Sequence, residues 1–397
     1  MGVIQGGVQL KKHRKMLQQA LTPNNCIPYR AVQQEEARKL IKKIISTPED
    51  WREHMQTLAT TLILRIGYGI NVRDKDDPYV EIADKTSDAL SKGGAPGSTA
   101  LDVFPFIRHL PSWFKLIPSL KFAREYNSWV TKLHEVPFQF VQQEMEAGMA
   151  KPSFTKKLLE ERPEKELISE LPTDSELITD ADIKGAAGSM YVAGQDTTWS
   201  TLTVFVLNMI LNPEIQEKGK EELSSVLGHD SLPTFADRDK LPYVEYIVQE
   251  TFRVDGGQLC HLVRGICACI CCSLLTCIAG IPHKSAADDT YKGYPIPAGS
   301  LVIANAYAMN RDERFYSDST AFKPDRYIAK EKGGLGEPYP IGHFGFGRRV
   351  CPGIHLGSAS VWMGIATMLA TLEFSKAKDP EGNEITPDPK WSTGLTR

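Results

Sequence analysis

In "HFGFGRRVCPGIHLGSASVWMGIATMLATLEF", residues 343–374, one cysteine lies in a glycine-rich turn directly before a long apolar stretch. This order predicts a helix that begins near Gly353. The glycines let the backbone come close to a flat ligand, and N–H groups at a helix start can stabilise negative charge on sulfur. A lone cysteine at a helix start is more often a small buried residue. The pattern here is more demanding because five residues coincide: Phe344, Gly347, Arg349, Cys351 and Gly353.

The composition of the chain is that of a globular protein. Its 397 residues are 42% hydrophobic and 24% charged, with a net charge of -3. This balance argues against a nucleic-acid partner held by a general positive field. Residues 1–20 hold no apolar run long enough for a secretory signal or a membrane span, so we expect a chain that lacks an anchor and starts in the cytosol.

The periodicity along the chain is mostly helical. Amphipathic helices are predicted over 31–66 and 120–150, whereas turn signals around short β-prone runs in 290–310 predict a small sheet. We therefore predict the α+β class, mainly α with small β-sheets, and the length allows two to three domains or one large one.

A long helix is predicted from a capping-box pattern at Thr179 to a stop at Pro213. Its middle carries Gly194, Asp196 and Thr197. A small residue there lets a bulky group approach, and an acid beside a hydroxyl can relay protons or order water. The competing interpretation is a hydroxyl that bonds back to the carbonyl four residues earlier.

Two further stretches hold charges that can pair. Glu250 and Arg253 lie three residues apart on a helix predicted over 241–253, and Arg326 lies in "FKPDRY", residues 322–327. Together they can form a buried network, and such networks fix geometry more than they add net stability.

The order of "AGQDTT", "ETFR", "FKPDR" and "FGFGRRVCPG" resembles the cytochrome P450 superfamily, and other details resemble fungal microsomal members of secondary metabolism. The resemblance runs from about residue 10 onward and breaks at 254–278. It implies a single haem-thiolate monooxygenase domain over 1–397 with the cytochrome P450 fold, which we expect to be incomplete at the N-terminus. Where relatives have W-x-x-x-R this chain has Leu10 and Arg14.

The resemblance also implies roles for the motif residues. Cys351 would be the axial thiolate ligand of haem b iron, with Phe344, Gly347 and Gly353 shaping the turn around it. Arg349 would bind a haem propionate, with Arg14 and His283 as helpers. Asp196 and Thr197 would deliver protons to the dioxygen that the haem activates, and Gly194 would leave room above the haem. Glu250, Arg253 and Arg326 would form a structural triad that does not touch substrate.

The implied reaction inserts one oxygen atom from O₂ into a small, largely apolar molecule. No G-x-G-x-x-G fingerprint opens a helix after a strand, so electrons would come from NADPH through a separate reductase. Relatives place this partner at the endoplasmic reticulum membrane, and we expect the full-length form on its cytosolic face. The alternative is a truncated, non-catalytic relative that binds no haem productively.

Six of the eight cysteines lie within 260–277, inside the stretch 254–278 that matches nothing in the family. Their spacing contains a single C-x₂-C step, from Cys269 to Cys272, and not the repeated pairs of structural Cys₄ zinc sites; a disulfide knot conflicts with a reducing compartment. A membrane span there would separate the triad helix from the cysteine turn. The remaining hypothesis is a retained intron or an error in the gene model, and a cysteine-rich metal-binding protein stays a distant third class.

Overall fold

The structure is a computed structural model with described residues 7–73, 76–92, 99–111, 116–161, 177–228, 230–258 and 283–387. Within these ranges the helices are α1 Val8–Ala20, α2 Arg30–Ser46, α3 Trp51–Tyr68, α4 Pro78–Lys92, α5 Ala100–Val103, α6 Pro118–Glu146, α7 Phe154–Glu160, α8 Asp180–Leu211, α9 Pro213–Leu227, α10 Pro242–Gln258, α11 Ala306–Met309 and α12 Ile354–Thr371.

Helix α8 is the axis around which the other helices pack. The predicted capping box is present, since the Thr179 hydroxyl accepts from the backbone N–H of Asp182 and that carboxylate accepts from the backbone N–H of Thr179. Helices α1, α3, α6, α10 and α12 all lie against α8. A helix with apolar residues on every face is stable where other helices surround most of it. This accounts for the central position of α8.

Two apolar clusters divide the core along α8. The half around Leu202 and Phe205 packs with α2, α9, α10 and α12, whereas the half around Ile183 and Tyr191 packs with α1, α4 and α6. Both clusters draw on α3. The middle of α8, where the two clusters meet, is the part that carries Gly194, Asp196 and Thr197.

Three two-stranded antiparallel sheets complete the described fold: β1 His283–Lys284 with β4 Leu301–Val302, β2 Asp289–Tyr291 with β3 Tyr294–Ile296, and β5 Ala377–Lys378 with β6 Glu384–Ile385. The β2–β3 hairpin turns at Lys292 and Gly293, both with positive φ (50° and 85°). Two-residue hairpin loops favour that conformation because it matches the strand twist. The predicted class, mainly α with small sheets, is confirmed.

One helix in the described part of the chain, Ile354–Thr371, is long and apolar enough to cross a membrane by length and composition. Its side chains are mostly buried inside the protein, where it packs on α8, α2 and α10. This is the behaviour of a core helix.

Candidate functional site

The predicted cysteine turn is held by its own backbone. The Cys351 N–H donates to the carbonyl oxygen of Phe344 at 2.7 Å, and α12 begins three residues after the cysteine. Gly345 and Gly347 have φ of 77° and 54°, in the left-handed region that favours glycine. The turn therefore presents a partly exposed sulfur at the start of a buried helix.

Opposing effects act on the Cys351 thiol. Burial raises its pKa, whereas a hydrogen bond from the Gly353 N–H to the sulfur and the positive charge of Arg14 lower it. Arg14 reaches this turn from α1, and its Nη2 donates to the carbonyl oxygen of Val350 at 2.8 Å. Arg349 is close enough to lower the pKa of Arg14, although burial is the larger cause. Three predicted residues, Arg14, Arg349 and Cys351, are thus brought together.

Phe344 anchors the turn to two helices. Its ring meets the Phe252 ring of α10 edge to face with centroids 5.4 Å apart. A Cβ added at Gly357 of α12 would lie 3.5 Å from the same ring. Gly347, by contrast, is exposed, and a Cβ there would have no heavy atom within 4 Å. The turn is therefore open on the side of Gly347, as expected if a flat ligand packs against that side.

The middle of α8 places its polar residues on different faces. Asp196 is buried, whereas Thr197 is exposed and lies one turn after the exposed Ala193. The Thr197 hydroxyl donates to the Ala193 carbonyl oxygen at 2.8 Å. This is the bond to the carbonyl four residues earlier that the competing interpretation predicts. Ala193 and Thr197 therefore form an exposed strip in the centre of a helix whose other faces pack against neighbouring helices.

Gly194 has a packing role in the structure. A Cβ there would come within 2.4 Å of the Ile63 Cδ1 atom, so the glycine allows α3 and α8 to approach closely. Its predicted function of leaving room above the haem stays a prediction. The predicted helper His283 lies exposed in β1, opposite Val302 of β4. No hydrogen bond or ion pair among the described residues joins it to the cysteine turn.

The predicted triad is assembled and buried. Glu250, Arg253 and Arg326 are all fully inaccessible to solvent. Arg253 donates to both carboxylate oxygens of Glu250, at 2.7 and 2.9 Å, and Arg326 Nε donates at 3.1 Å. The carboxylate also accepts from the Tyr327 hydroxyl at 2.7 Å and from the Lys323 backbone N–H at 2.8 Å. Every charge in the network is therefore matched by a partner.

The outer side of the triad binds a chain segment that leads into the cysteine turn. Arg326 Nη1 donates to the Glu337 carboxylate at 2.6 Å. The remaining donors of both guanidinium groups reach backbone carbonyl oxygens: those of Asn310, Ser317, Asp318, Ser319 and Ala321. The network thereby fixes segment 310–337 on α10.

Sequence reasoning missed a second buried polar link. Asp255, in the last turns of α10, accepts from the Thr201 hydroxyl of α8 at 2.7 Å. Its carboxylate lies 3.9 Å from His343 Nδ1, on the chain that leads into Phe344. Asp255 belongs to the stretch that the resemblance excluded, and the partners are distant in sequence, so no motif pointed to it.

Among the described residues, no group of three or more His, Cys, Asp or Glu side chains could hold a metal ion. The cysteine cluster at 260–277 lies outside those residues. The hypotheses of a retained intron and of a metal-binding protein therefore stay predictions.

The donor set around Cys351 fits a haem. A partly exposed thiol with an N–H on its sulfur provides a ligand for iron, and two guanidinium groups beside it provide partners for carboxylates. Left-handed glycines leave the turn open, and α8 carries an exposed strip in a buried core. Together with the buried Glu–Arg–Arg network, these features are those expected of a helical haem-binding protein.

Comparison with known proteins gives the same result. The Cytochrome P450 family profile matches residues 3–259 and 274–396. The chain belongs to the cytochrome P450 family, which implies haem iron, and it is a monooxygenase. It is 32% identical to "Cytochrome P450 monooxygenase 176" of Postia placenta, over 99% of this chain and 71% of the relative.

Other fungal relatives are similarly close. The chain is 35% identical to "Cytochrome P450 monooxygenase claT" of Ampulloclitocybe clavipes, over 98% of this chain and 73% of the relative. It is 29% identical to "Tryptamine 4-monooxygenase" of Psilocybe cyanescens, over 100% and 73%. These names confirm the predicted fungal type. The family match omits 260–273, which lies inside the stretch 254–278; the domain prediction with its insert stays a prediction.

Proposed function

We propose that Cys351 is the thiolate ligand of the haem iron in this monooxygenase. The observation that carries the proposal is the cysteine turn, which holds a partly exposed sulfur at the start of α12 beside Arg14 and Arg349. A bound iron would favour the thiolate over the thiol and would supply the oxygen chemistry. Without iron, burial favours the thiol form.

The two arginines would orient the haem. Carboxylates pair well with guanidinium groups, and Arg14 is already fixed by its bond to the Val350 carbonyl oxygen. Burial and the charge of Arg349 lower the pKa of Arg14, so an added carboxylate would relieve their repulsion. His283 stays a predicted helper of these two residues.

Asp196 and Thr197 of α8 would handle protons. The Thr197 hydroxyl faces the open strip, and while it donates to the Ala193 carbonyl its oxygen can still accept from water. A water bound there would pass protons toward the reacting oxygen. Asp196, whose side chain is buried on another face of α8, stays a predicted member of this relay.

The reaction would insert one oxygen atom of O₂ into a small, largely apolar substrate. The second atom leaves as water, which consumes two protons and the two electrons of one NADPH. A separate flavoprotein reductase would carry these electrons, with the full-length enzyme at the cytosolic face of the endoplasmic reticulum membrane. Because a relative is named for its action on tryptamine, small aromatic amines are one substrate class to test.

A spectrum taken in the absence of substrate tests ligation and electron supply together. The purified chain, loaded with haem under carbon monoxide, should give the red-shifted Soret band of thiolate ligation after reduction by dithionite. NADPH should produce the same band only when the flavoprotein reductase is added. A band that grows with NADPH alone would contradict the need for a reductase. Failure of dithionite to give the band would contradict the thiolate ligand and would favour the non-catalytic alternative.

A further inference from the structure

Asp255 connects helix α8 with the segment before the cysteine turn. The proposed reaction depends on the relative position of these two parts of the protein. Its side chain is 11% exposed, in the last turns of α10. On one side it accepts from the Thr201 hydroxyl of α8, and on the other it faces the His343 ring at 3.9 Å. One carboxylate therefore joins α8, α10 and the segment before the cysteine turn.

The partners of Asp255 depend on one another. Burial raises the pKa of Asp255, opposed by His343 and by the Thr201 hydrogen bond. Burial also lowers the pKa of His343, opposed by Asp255 and by the Phe252 carbonyl oxygen, to which the ring donates. Loss of Asp255 would leave the Thr201 hydroxyl with only the Thr197 carbonyl oxygen as acceptor and would remove the carboxylate that faces His343. The link between α8 and the segment before the cysteine turn would then be lost.

Each end of this link lies next to a predicted functional residue. Thr201 is one turn after Thr197, and its hydroxyl lies 2.9 Å from the Thr197 carbonyl oxygen. His343 stacks on Phe252 with ring centroids 4.5 Å apart and precedes Phe344. The Phe344 carbonyl oxygen in turn accepts the Cys351 N–H. A shift of the Asp255 carboxylate would therefore reach both the Thr197 turn of α8 and the Cys351 turn.

We propose that Asp255 is a positioning residue that fixes the Thr197 turn of α8 relative to the Cys351 turn. This inference rests on the proposed function, because it concerns the geometry between the proton-handling residues and the iron ligand. The triad does not provide this link, since it binds α10 to segment 310–337. Asp255 touches neither Cys351 nor Thr197 directly, and it acts through His343 and Thr201.

The test is the fraction of folded, haem-loaded protein that gives the red-shifted band under carbon monoxide. Asp255→Leu keeps the branching at Cγ and removes both polar contacts. It should lower the ratio of thiolate-ligated to other haem about tenfold, the weight of one hydrogen bond to a charged group. Asp255→Asn, which can still accept from Thr201 and donate toward His343, should keep the wild-type ratio.

Two threonines of α8 provide a matched pair. Thr201→Val should lower the ratio of thiolate-ligated to other haem. The double variant with Asp255→Leu should have the same ratio as Asp255→Leu alone, because both changes break the same Thr201–Asp255 contact. The control Thr203→Val should leave the ratio unchanged, since the Thr203 hydroxyl donates to Trp199 within α8.

Thermal unfolding of the haem-free variants separates positioning from simple stability. A purely structural residue would lower the melting temperature and leave the ratio of the folded protein at its wild-type value, and that result would overturn the inference. Additive effects of Thr201→Val and Asp255→Leu would overturn it as well. Absence of the band in the wild-type protein would overturn the proposed function and this inference together. A wild-type band that Asp255→Leu leaves intact would overturn this inference alone.

Discussion

Replacement of Glu250 by glutamine should strongly destabilise the protein. The carboxylate accepts hydrogen bonds from Arg253, Arg326, Tyr327 and the Lys323 backbone, and both arginines are fully buried. Glu250→Gln leaves two buried guanidinium charges with the single carboxylate of Glu337. Removing one partner from a buried ion pair costs about 3–5 kcal/mol, so we expect a loss of that size in the free energy of unfolding.

Urea denaturation followed by circular dichroism measures this loss through the shift of the midpoint at constant slope. Glu245→Gln, on the same helix α10, is the matched control. Glu245 pairs with Arg238 at 2.9 Å, but both side chains are partly exposed, so the control should cost about 0–1 kcal/mol. Equal losses of unfolding free energy in the two variants, or a loss below about 1 kcal/mol for Glu250→Gln, would contradict the prediction. Either result would refute the claim that the buried charges of the network compensate one another.

Two further predictions concern α8 and its surroundings. Thr179→Ala removes the capping box and should cost about 1 kcal/mol in the same urea assay; an unchanged midpoint would contradict the cap. Burial lowers the pKa of His13, partly offset by Asp182. Below pH 6.5 the unfolded chain therefore takes up a proton that the folded chain resists, and stability should fall by up to about 1.4 kcal/mol per pH unit. His13→Leu should flatten this slope, and an unchanged slope in that variant would contradict burial of the imidazole as its cause.

Features with a local cause could be predicted from the sequence. The start of α8 follows from a hydroxyl and a carboxylate three residues apart, and its end follows from Pro213, which begins α9. The turn at Lys292 and Gly293 follows from the hairpin pattern. The pairing of Glu250 with Arg326, 76 residues away, was predicted from the order of motifs and not from local physics.

Contacts set by packing could not be predicted. Thr201 and Asp255 are 54 residues apart, and neither belongs to a motif. The packing of Gly194 on Ile63 depends on the approach of α3, which no local pattern specifies. Asp196 and Thr197 are adjacent in sequence, yet only the packing of α8 decides that one is buried and the other exposed.

The measurement that tests the central claim most directly is the reduced carbon monoxide difference spectrum of three haem-loaded proteins: wild type, Cys351→Ala and Cys26→Ala. Cys26 is buried, and burial raises the pKa of its thiol to about 11, so it is a control for the loss of a cysteine. We predict the red-shifted Soret band in the wild type and in Cys26→Ala, and its loss in Cys351→Ala. A band that persists in Cys351→Ala would show that another group ligates the iron and would contradict the account.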